Sequence, residues 1–492
     1  MAQYIIAHDL GTSGNKATLF TVDGQFVKSC IMPYDVHFFG KNCAQQNPAD
    51  WWQAVCEATQ NILEGIGRKN VIALSFSAQM QGCLLVDKEG NPLRPSIIWA
   101  DQRAVKEAEH LEREIGFDEM YEITGHRLSP SYTLEKIMWL REHEPEVYNK
   151  AYKSLQAKDY ILYKLTGEFV TDYSDASGTN ALDLEHLCWS DEILEASGIN
   201  RDLLPELHNS TDVIGLVTKE AAKATGLCQG TPVVCGGGDG PCAAVGAGCI
   251  HDDELFVTFG TSAWVGGTTK KKFLDEEKIF FCFANVIPGR YMPCGAMQAA
   301  GSSYSYIRSL MAPGQPYSEL NQMIENSSAG ANGLIFLPYM LGERSPRWNE
   351  NTSGAYLGIK MQHKKEDYIR AVIEGVAYNL EIILASYRKY LSADRLILTG
   401  GGAKGDIVCQ ILSDVLCAKL CTPDHVEEAT SIAAAMIAGV GVGAYNNFEE
   451  ITRFLKFQKE YEPDRKNQPV YDKMKKIFDS SYYALESIYK MF

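Results

Sequence analysis

The chain lacks a secretory or membrane-spanning start. The apolar run within MAQYIIAHDLGTSG follows no basic segment and is cut short by His8 and Asp9, so no signal peptide or membrane anchor is expected and a cytoplasmic location follows. Positive charge is also scarce. Against 62 Asp and Glu stand 46 Lys and Arg, a net charge of -16, which repels phosphate backbones and anionic lipid surfaces over the molecule as a whole. Nucleic acid and membrane are thereby excluded as partners, and a polyanion such as ATP would have to be held locally, by backbone N–H groups, one or two Lys or Arg and a divalent cation. Low-complexity tracts are absent. The 14 cysteines show no disulfide framework in so long a chain and read as free buried thiols. Cys228, Cys235, Cys242 and Cys249 recur every seven residues, but Gly236-Gly237-Gly238 breaks any helix that would align them as zinc ligands.

What the sequence does have is length and apolar content. At 492 residues and 46% hydrophobic it exceeds the ~250 to 300 residues at which a single core stops growing, so two domains are expected. We place them at 1–247 and 248–492, the boundary falling near Gly246 to Asp252, where small residues give way to a charged turn. Helical periodicity appears over Asp50–Glu64, Asp101–Ile115, Leu134–Tyr148 and Asp159–Thr166, with short apolar strands at Val71–Phe76 and Leu84–Val86. The alternation recurs later, with helices at Asp367–Leu391, Ala403–Leu416 and Ser431–Ala438 and strands at Gly333–Leu337 and Arg395–Leu398. The fold class is mixed α/β.

Two segments read as strand, glycine turn, strand. Tyr4–Ala7 leads through Asp9 and Gly11-Thr12-Ser13-Gly14 into Ala17–Val22, and Glu254–Thr258 leads through Gly260-Thr261-Ser262 into Ala263–Gly266. Either one nucleotide-handling unit has been duplicated, or two hairpins share three small residues. Such a turn offers backbone N–H groups and hydroxyls to phosphate, and Asp9 suits an intervening Mg²⁺ ion; taken alone, the first segment reads equally as a plain hairpin. A third glycine site, Thr399-Gly400-Gly401-Gly402-Ala403-Lys404, follows a buried strand, where a nucleotide can lie flat on backbone. In a fourth, Thr231–Cys235 runs into Gly236-Gly237-Gly238-Asp239-Gly240-Pro241. Its loose dinucleotide pattern at Gly238, Gly240 and Ala243 suggests a nicotinamide-dependent oxidoreductase, yet Asp239 would face the pyrophosphate. That carboxylate is better suited to taking a proton from a hydroxyl, or to capping the helix that starts near Pro241.

Together these segments resemble the FGGY carbohydrate kinases from about Tyr4 to about Val440. The resemblance is carried by Ser131–His143, which contains Lys136 and Trp139-Leu140, and by Gly354–Ile359 continuing to Asp367–Glu374. Gln46–Trp52, Lys158-Asp159-Tyr160, Thr166–Phe169, Ser174–Thr179 and Gly342–Pro346 look most like the xylulose kinases within that family. The resemblance implies two actin-like (ribonuclease H-like) ATPase domains around a central cleft, the first for sugar and phosphate and the second for nucleotide. ATP would be held by Gly11, Thr12, Ser13 and Lys16, by Gly260, Thr261 and Ser262, and by Gly400, Gly401, Gly402 and Ala403. Mg²⁺ would be organised by Asp9 and Asp239, with Asp239 as general base. Met80, Gln81, Trp99, Asp101, Asp239 and Gly240 would line the sugar, although Trp99 reads equally as core. Two positions depart from the xylulose kinase pattern: Gln81 stands where that group has His, and Gly240 where it has Asn. An actin-like ATP sensor is the non-catalytic rival. A homodimer stays open.

Overall fold

The computed structural model describes residues 2–491. β1 (Tyr4–Leu10), β2 (Gly14–Thr21) and β3 (Phe26–Pro33) form an antiparallel meander. Ile5, Ile6 and Ala7 are buried, as an apolar run covered on both faces should be, whereas β3 is more exposed along its length and lies at the edge. β4 (Val71–Ala78) runs parallel to β1. Beyond it the sheet ends in β5 (Val213–Leu216), antiparallel to β6 (Pro232–Val234), which is parallel to β4. The short β7 (Gly237–Gly238) extends the pairing at the far end of β4.

The second half repeats this plan. β8 (Glu254–Phe259) pairs antiparallel with β9 (Ala263–Thr268); β10 (Phe281–Ala284) and β11 (Tyr291–Met297) follow, and β12 (Arg395–Thr399) runs parallel to β8. β13 (Lys419–Pro423) is parallel to β12, and β14 (Phe457–Tyr461) antiparallel to β13. The order β3-β2-β1-β4-β6-β5 in one sheet matches β11-β9-β8-β12-β13-β14 in the other, sense for sense. Shared small residues alone would not produce this correspondence, so the two hairpins are equivalent parts of a duplicated actin-like unit.

Helices pack against both sheets. Pro48–Ile62 starts on Asn47, whose side chain accepts from the Ala49 N–H, and buries Trp51, Val55, Ala58 and Ile62 at helical spacing. In the second half Lys365–Tyr387 is buried along most of its length. The Ala-rich helix Ala429–Gly441 departs from its place in the sequence. Its residues Ile432–Ala438 share a core with Ile5, Ala7, Phe20 and Val234 of the first sheet, and it crosses the helix Asp239–Gly246 closely. Added to Gly246, a Cβ would fall 1.7 Å from the Ala429 carbonyl oxygen. No helix among the described residues is long and apolar enough to cross a membrane.

Three sequence-predicted helices are shortened or split. The one expected from Asp101 begins only at Val105, because the Asp101 carboxylate ties down the preceding segment. Pro145 ends the helix expected over Leu134–Tyr148, leaving Thr133–His143 and a separate turn, Pro145–Tyr148. Gly405, with extended backbone, divides Ala403–Leu416 into a tight turn at Gly401–Lys404 and the helix Asp406–Leu416.

Candidate active site

Parallel pairing gathers the first-half residues at one edge of the sheet. Leu10 of β1 lies beside Ala78 of β4, and Ala78 beside Gly238 of β7, so the Gly11–Gly14 turn, the 79–82 loop and Asp239 all emerge from the carboxyl ends of adjacent strands. Ligands of open α/β sheets bind at such an edge. In the second half Thr258 and Thr399 are partners across β8 and β12, their hydroxyls 2.9 Å apart, which sets the Gly260 and Gly400 turns side by side.

Both Gly-Thr-Ser turns present amides outward because their carbonyls are tied back. In the first, the Tyr34 hydroxyl donates to Gly11 O at 2.6 Å, the Gln46 side-chain amide to Thr12 O at 2.7 Å and the Tyr34 N–H to Ser13 O at 3.2 Å. In the second, Gly260 O and Thr261 O accept from Gly301, Ala300 and Ser302 N–H groups at 2.9 to 3.0 Å. Among the described residues, the N–H groups of Thr12, Ser13, Thr261 and Ser262 donate to no protein acceptor. Each turn is thus a preformed set of donors for an anion. Each is also buttressed by an indole: Trp99 Nε1–H donates to Thr12 Oγ1 at 2.9 Å, and Trp264 Nε1–H to Ser262 Oγ at 3.3 Å. Lys16 is already engaged, its ammonium 3.2 Å from the Glu428 carboxylate and 2.6 Å from Glu427 O.

Gly400 has φ +85°, and a Cβ there would lie 2.7 Å from Phe259 O. One on Gly402 would collide with the Phe259 ring, whereas Gly401 faces open space. With Ala403 buried beneath, this turn is a flat backbone ledge resting on Phe259.

Asp239 is the first residue of its helix; Gly238 is the N-cap, so the capping reading of Asp239 is set aside. The Gly238 N–H donates to Ser174 Oγ at 3.0 Å, and Ser174 in turn hydrogen-bonds the Asp172 carboxylate. Burial pushes the Asp239 carboxyl up to about 7, the charge of Asp9 adds to this, and the Gly240 and Asp239 amides oppose it. Asp9 is raised as well, mainly by burial, while Lys16 across the strand pair and the Thr430 hydroxyl, donating at 2.8 Å, favour its charged form. Two buried carboxyls, one of which raises the other, suit a divalent cation that would favour the charged form of each.

The sugar-wall residues divide. Met80 packs on the glycine turn, where Cβ atoms on Gly238 and Gly178 would clash with its thioether end. Gln81 is half-buried with φ +65°, and its amide makes no protein hydrogen bond among the described residues. Trp99 is 37% exposed, so its reading as core does not hold. Asp101, in contrast, is fully buried, its oxygens taken by the Ala44 N–H and by Arg103 N, Nε and Nη2 at 2.6 to 3.0 Å. With its lone pairs so occupied it offers a sugar no free acceptor in this structure, against the expectation for it, and it pins the Ala44 segment to 101–103. Gly240 lies against Trp264, 3.4 Å from where its Cβ would stand.

Comparison with known proteins agrees with this geometry. The models of the FGGY family of carbohydrate kinases match residues 4–246 with the N-terminal domain and 255–442 with the C-terminal domain. This chain belongs to the FGGY family of carbohydrate kinases. A xylulose kinase of Staphylococcus xylosus is 30% identical over 481 residues, 97% of this chain and 99% of the relative. A gluconokinase of Bacillus subtilis is 30% identical over 501 residues, 99% and 97% respectively. The crystal structure of ligand-bound xylulose kinase from Lactobacillus acidophilus matches with a TM-score of 0.95 at 28% identity, covering 100% of both chains. Membership of the FGGY kinases makes the protein a phosphotransferase acting on a sugar with ATP, and it overturns the oxidoreductase and ATP-sensor readings.

Three residues of this FGGY site went unread in the sequence. Trp264 lies two residues after Gly260-Thr261-Ser262, and its place just past a glycine turn was the available signal. Ser174 sits in a segment noted only for its likeness to xylulose kinases. Thr430 had no local signal, because its contact with Asp9 arises from the folding back of Ala429–Gly441.

Proposed function

We propose that this FGGY kinase transfers the γ-phosphoryl group of ATP to a hydroxyl of a small sugar, a pentulose such as D-xylulose, in the cleft between its two domains. The observation that carries this reading is the pair Asp9 and Asp239 at the strand ends beside one anion-binding turn, with Trp264 joining Asp239-Gly240 to the other. Asp239 accepts the proton of the sugar hydroxyl as its oxygen attacks the γ-phosphorus and the bond to the β,γ-bridging oxygen breaks, releasing ADP. Amides of Thr12, Ser13, Thr261 and Ser262 receive charge on the phosphoryl oxygens from two sides. The Gly400–Ala403 ledge takes the adenosine. Mg²⁺ held by Asp9 and Asp239 supplies neutralisation of phosphate charge when bound. We assign sugar and phosphate binding to 1–247 and nucleotide binding to 248–492, with Thr430 of the second half reaching Asp9.

A second reading, a sugar acid such as gluconate as acceptor, is favoured by the equal identity to a gluconokinase. A coupled ATPase assay over D-xylulose, its epimers, hexuloses, glycerol, erythritol and gluconate distinguishes them. The highest kcat/KM is expected for a pentulose; a preference for gluconate selects the second reading, and no turnover with any sugar defeats both.

A further inference from the structure

Lys136 is a buried cation with no ion-pair partner among the described residues. Its side chain is fully enclosed, no described carboxylate lies within salt-bridge distance, and burial pushes its ammonium down to about 7. A lysine so placed tends to shed its charge or to be replaced by an apolar residue unless hydrogen bonds hold it. Here it donates to two backbone carbonyls, Gln81 O at 2.8 Å and Ser131 O.

Gln81 is where the loop carries strain. Its φ of +65° is a left-handed conformation that a residue with a Cβ enters at a cost, and it persists only where the surroundings enforce it. The first turn of Thr133–His143 does so from behind. Thr133 Oγ1–H donates to Gly82 O at 3.1 Å, Lys136 grips the preceding carbonyl, and the Leu134 N–H donates to Thr179 O at 3.0 Å. That last bond fixes the turn whose Gly178 lies under Gln81, with Gln81 Cγ 3.6 Å from where a Cβ would be. Gln81 is thereby held at backbone and side chain while its amide is left without a protein partner.

We propose that Lys136 is a positioning residue for the acceptor sugar, acting through the Gln81 carbonyl to fix the left-handed turn that presents the Gln81 amide to the cleft. The inference rests on the reading of Gln81 as part of the sugar wall, and the test separates the two. Lys136 touches neither sugar nor ATP in this role. Its loss lets the 81–82 peptide relax, and the amide no longer meets the sugar hydroxyls in a fixed geometry.

The experiment is a double-mutant cycle of Lys136→Met and Gln81→Ala, reading kcat and KM for the sugar and KM for ATP. Lys136→Met in the wild-type background should raise sugar KM about tenfold, the order expected when a buried carbonyl loses its donor, with ATP KM unchanged. In the Gln81→Ala background it should change sugar KM by less than about threefold, since no amide remains to position. Lys136→Arg, which keeps a cationic donor, should recover most of the loss; if Lys136→Met does not fold, Lys136→Gln is read in its place. Equal fold-changes in both backgrounds, or a parallel rise in ATP KM, overturn the positioning role. A Gln81→Ala variant with unchanged sugar KM overturns the site reading instead.

Discussion

Asp239 and Asp9 show how burial sets chemistry at the level of single residues. A carboxyl raised to about 7 is a better proton acceptor than an ordinary aspartate and is still largely ionised just above neutrality. Asp239→Asn keeps the shape but not the basicity of the carboxylate, so kcat should fall by ~10² to 10⁴ with nucleotide affinity nearly intact; near wild-type turnover would remove the base from the mechanism. The sign of the pH effect follows. Without bound Mg²⁺, burial favours the protonated form of Asp239 below about 7, where it cannot accept, so kcat/KM for sugar should decline as pH drops and level off at higher pH. A profile flat between pH 5.5 and 8.5, measured with stable protein, would contradict this. Specificity is the other residue-scale question. Gln81→His with Gly240→Asn restores the side chains common in xylulose kinases, and the Cβ position on Gly240 is at ordinary contact distance from Trp264. The double variant should shift kcat/KM toward D-xylulose by roughly tenfold to a hundredfold, about 1 to 3 kcal/mol for one buried hydrogen bond. An unchanged ranking among epimers means these positions do not read the sugar.

Among the elements, the turn from β7 into the helix Asp239–Gly246 matters most, because its N-cap is a glycine that offers no side-chain cap. Ser174 holds the Gly238 N–H from outside, and behind it Asp172 accepts from the Ser174 and Ser210 hydroxyls, with Lys158 3.2 Å away. Ser174→Ala should therefore lower kcat about tenfold, leave ATP affinity unchanged and cost ~1 to 3 kcal/mol of stability through the unpaired amide, which denaturant midpoints and steady-state kinetics would register. Equal kinetics for the variant and the wild type would show the turn to be rigid without it. The same elements explain what could be read in advance. Strands with continuous apolar runs, such as Ile5–Ala7 and Leu396–Leu398, and glycine turns at strand ends announce themselves through local pattern. Asp101 did so only in part: Arg103 stands two residues on and supplies three of its four hydrogen bonds, whereas the Ala44 N–H reaches it from a segment far away in the chain. Pro145 was a visible stop signal passed over in extending the helix to Tyr148. The helix Ala429–Gly441 was legible in its middle, Ser431–Ala438, but not in its full length, and no local pattern could say that it packs on the first sheet.

At the scale of the whole molecule, the two glycine turns belong to different sheets, and in the proposed mechanism only their approach lets both grip one triphosphate. One place where the halves meet is the crossing of Asp239–Gly246 and Ala429–Gly441, helices that also carry the proposed base Asp239 and, through Thr430, the hydroxyl on Asp9. Relative motion of the sheets therefore acts directly on Asp9 and Asp239. Sugar binding should favour closure, exclude water and complete the site, so ATP hydrolysis without sugar should be slow. Small-angle scattering should report a smaller radius of gyration with sugar and a non-hydrolysable ATP analogue together than with either alone. Gly246→Ala tests the crossing itself: its methyl would stand 1.7 Å from a backbone oxygen, so the helices must separate at a cost of ~1 to 3 kcal/mol. That variant should retain nucleotide binding yet lose both the compaction and most of the phosphoryl transfer. If it turns over normally, or if the wild-type profile is the same with and without both ligands, the site is already assembled in the open molecule and closure has no part in catalysis.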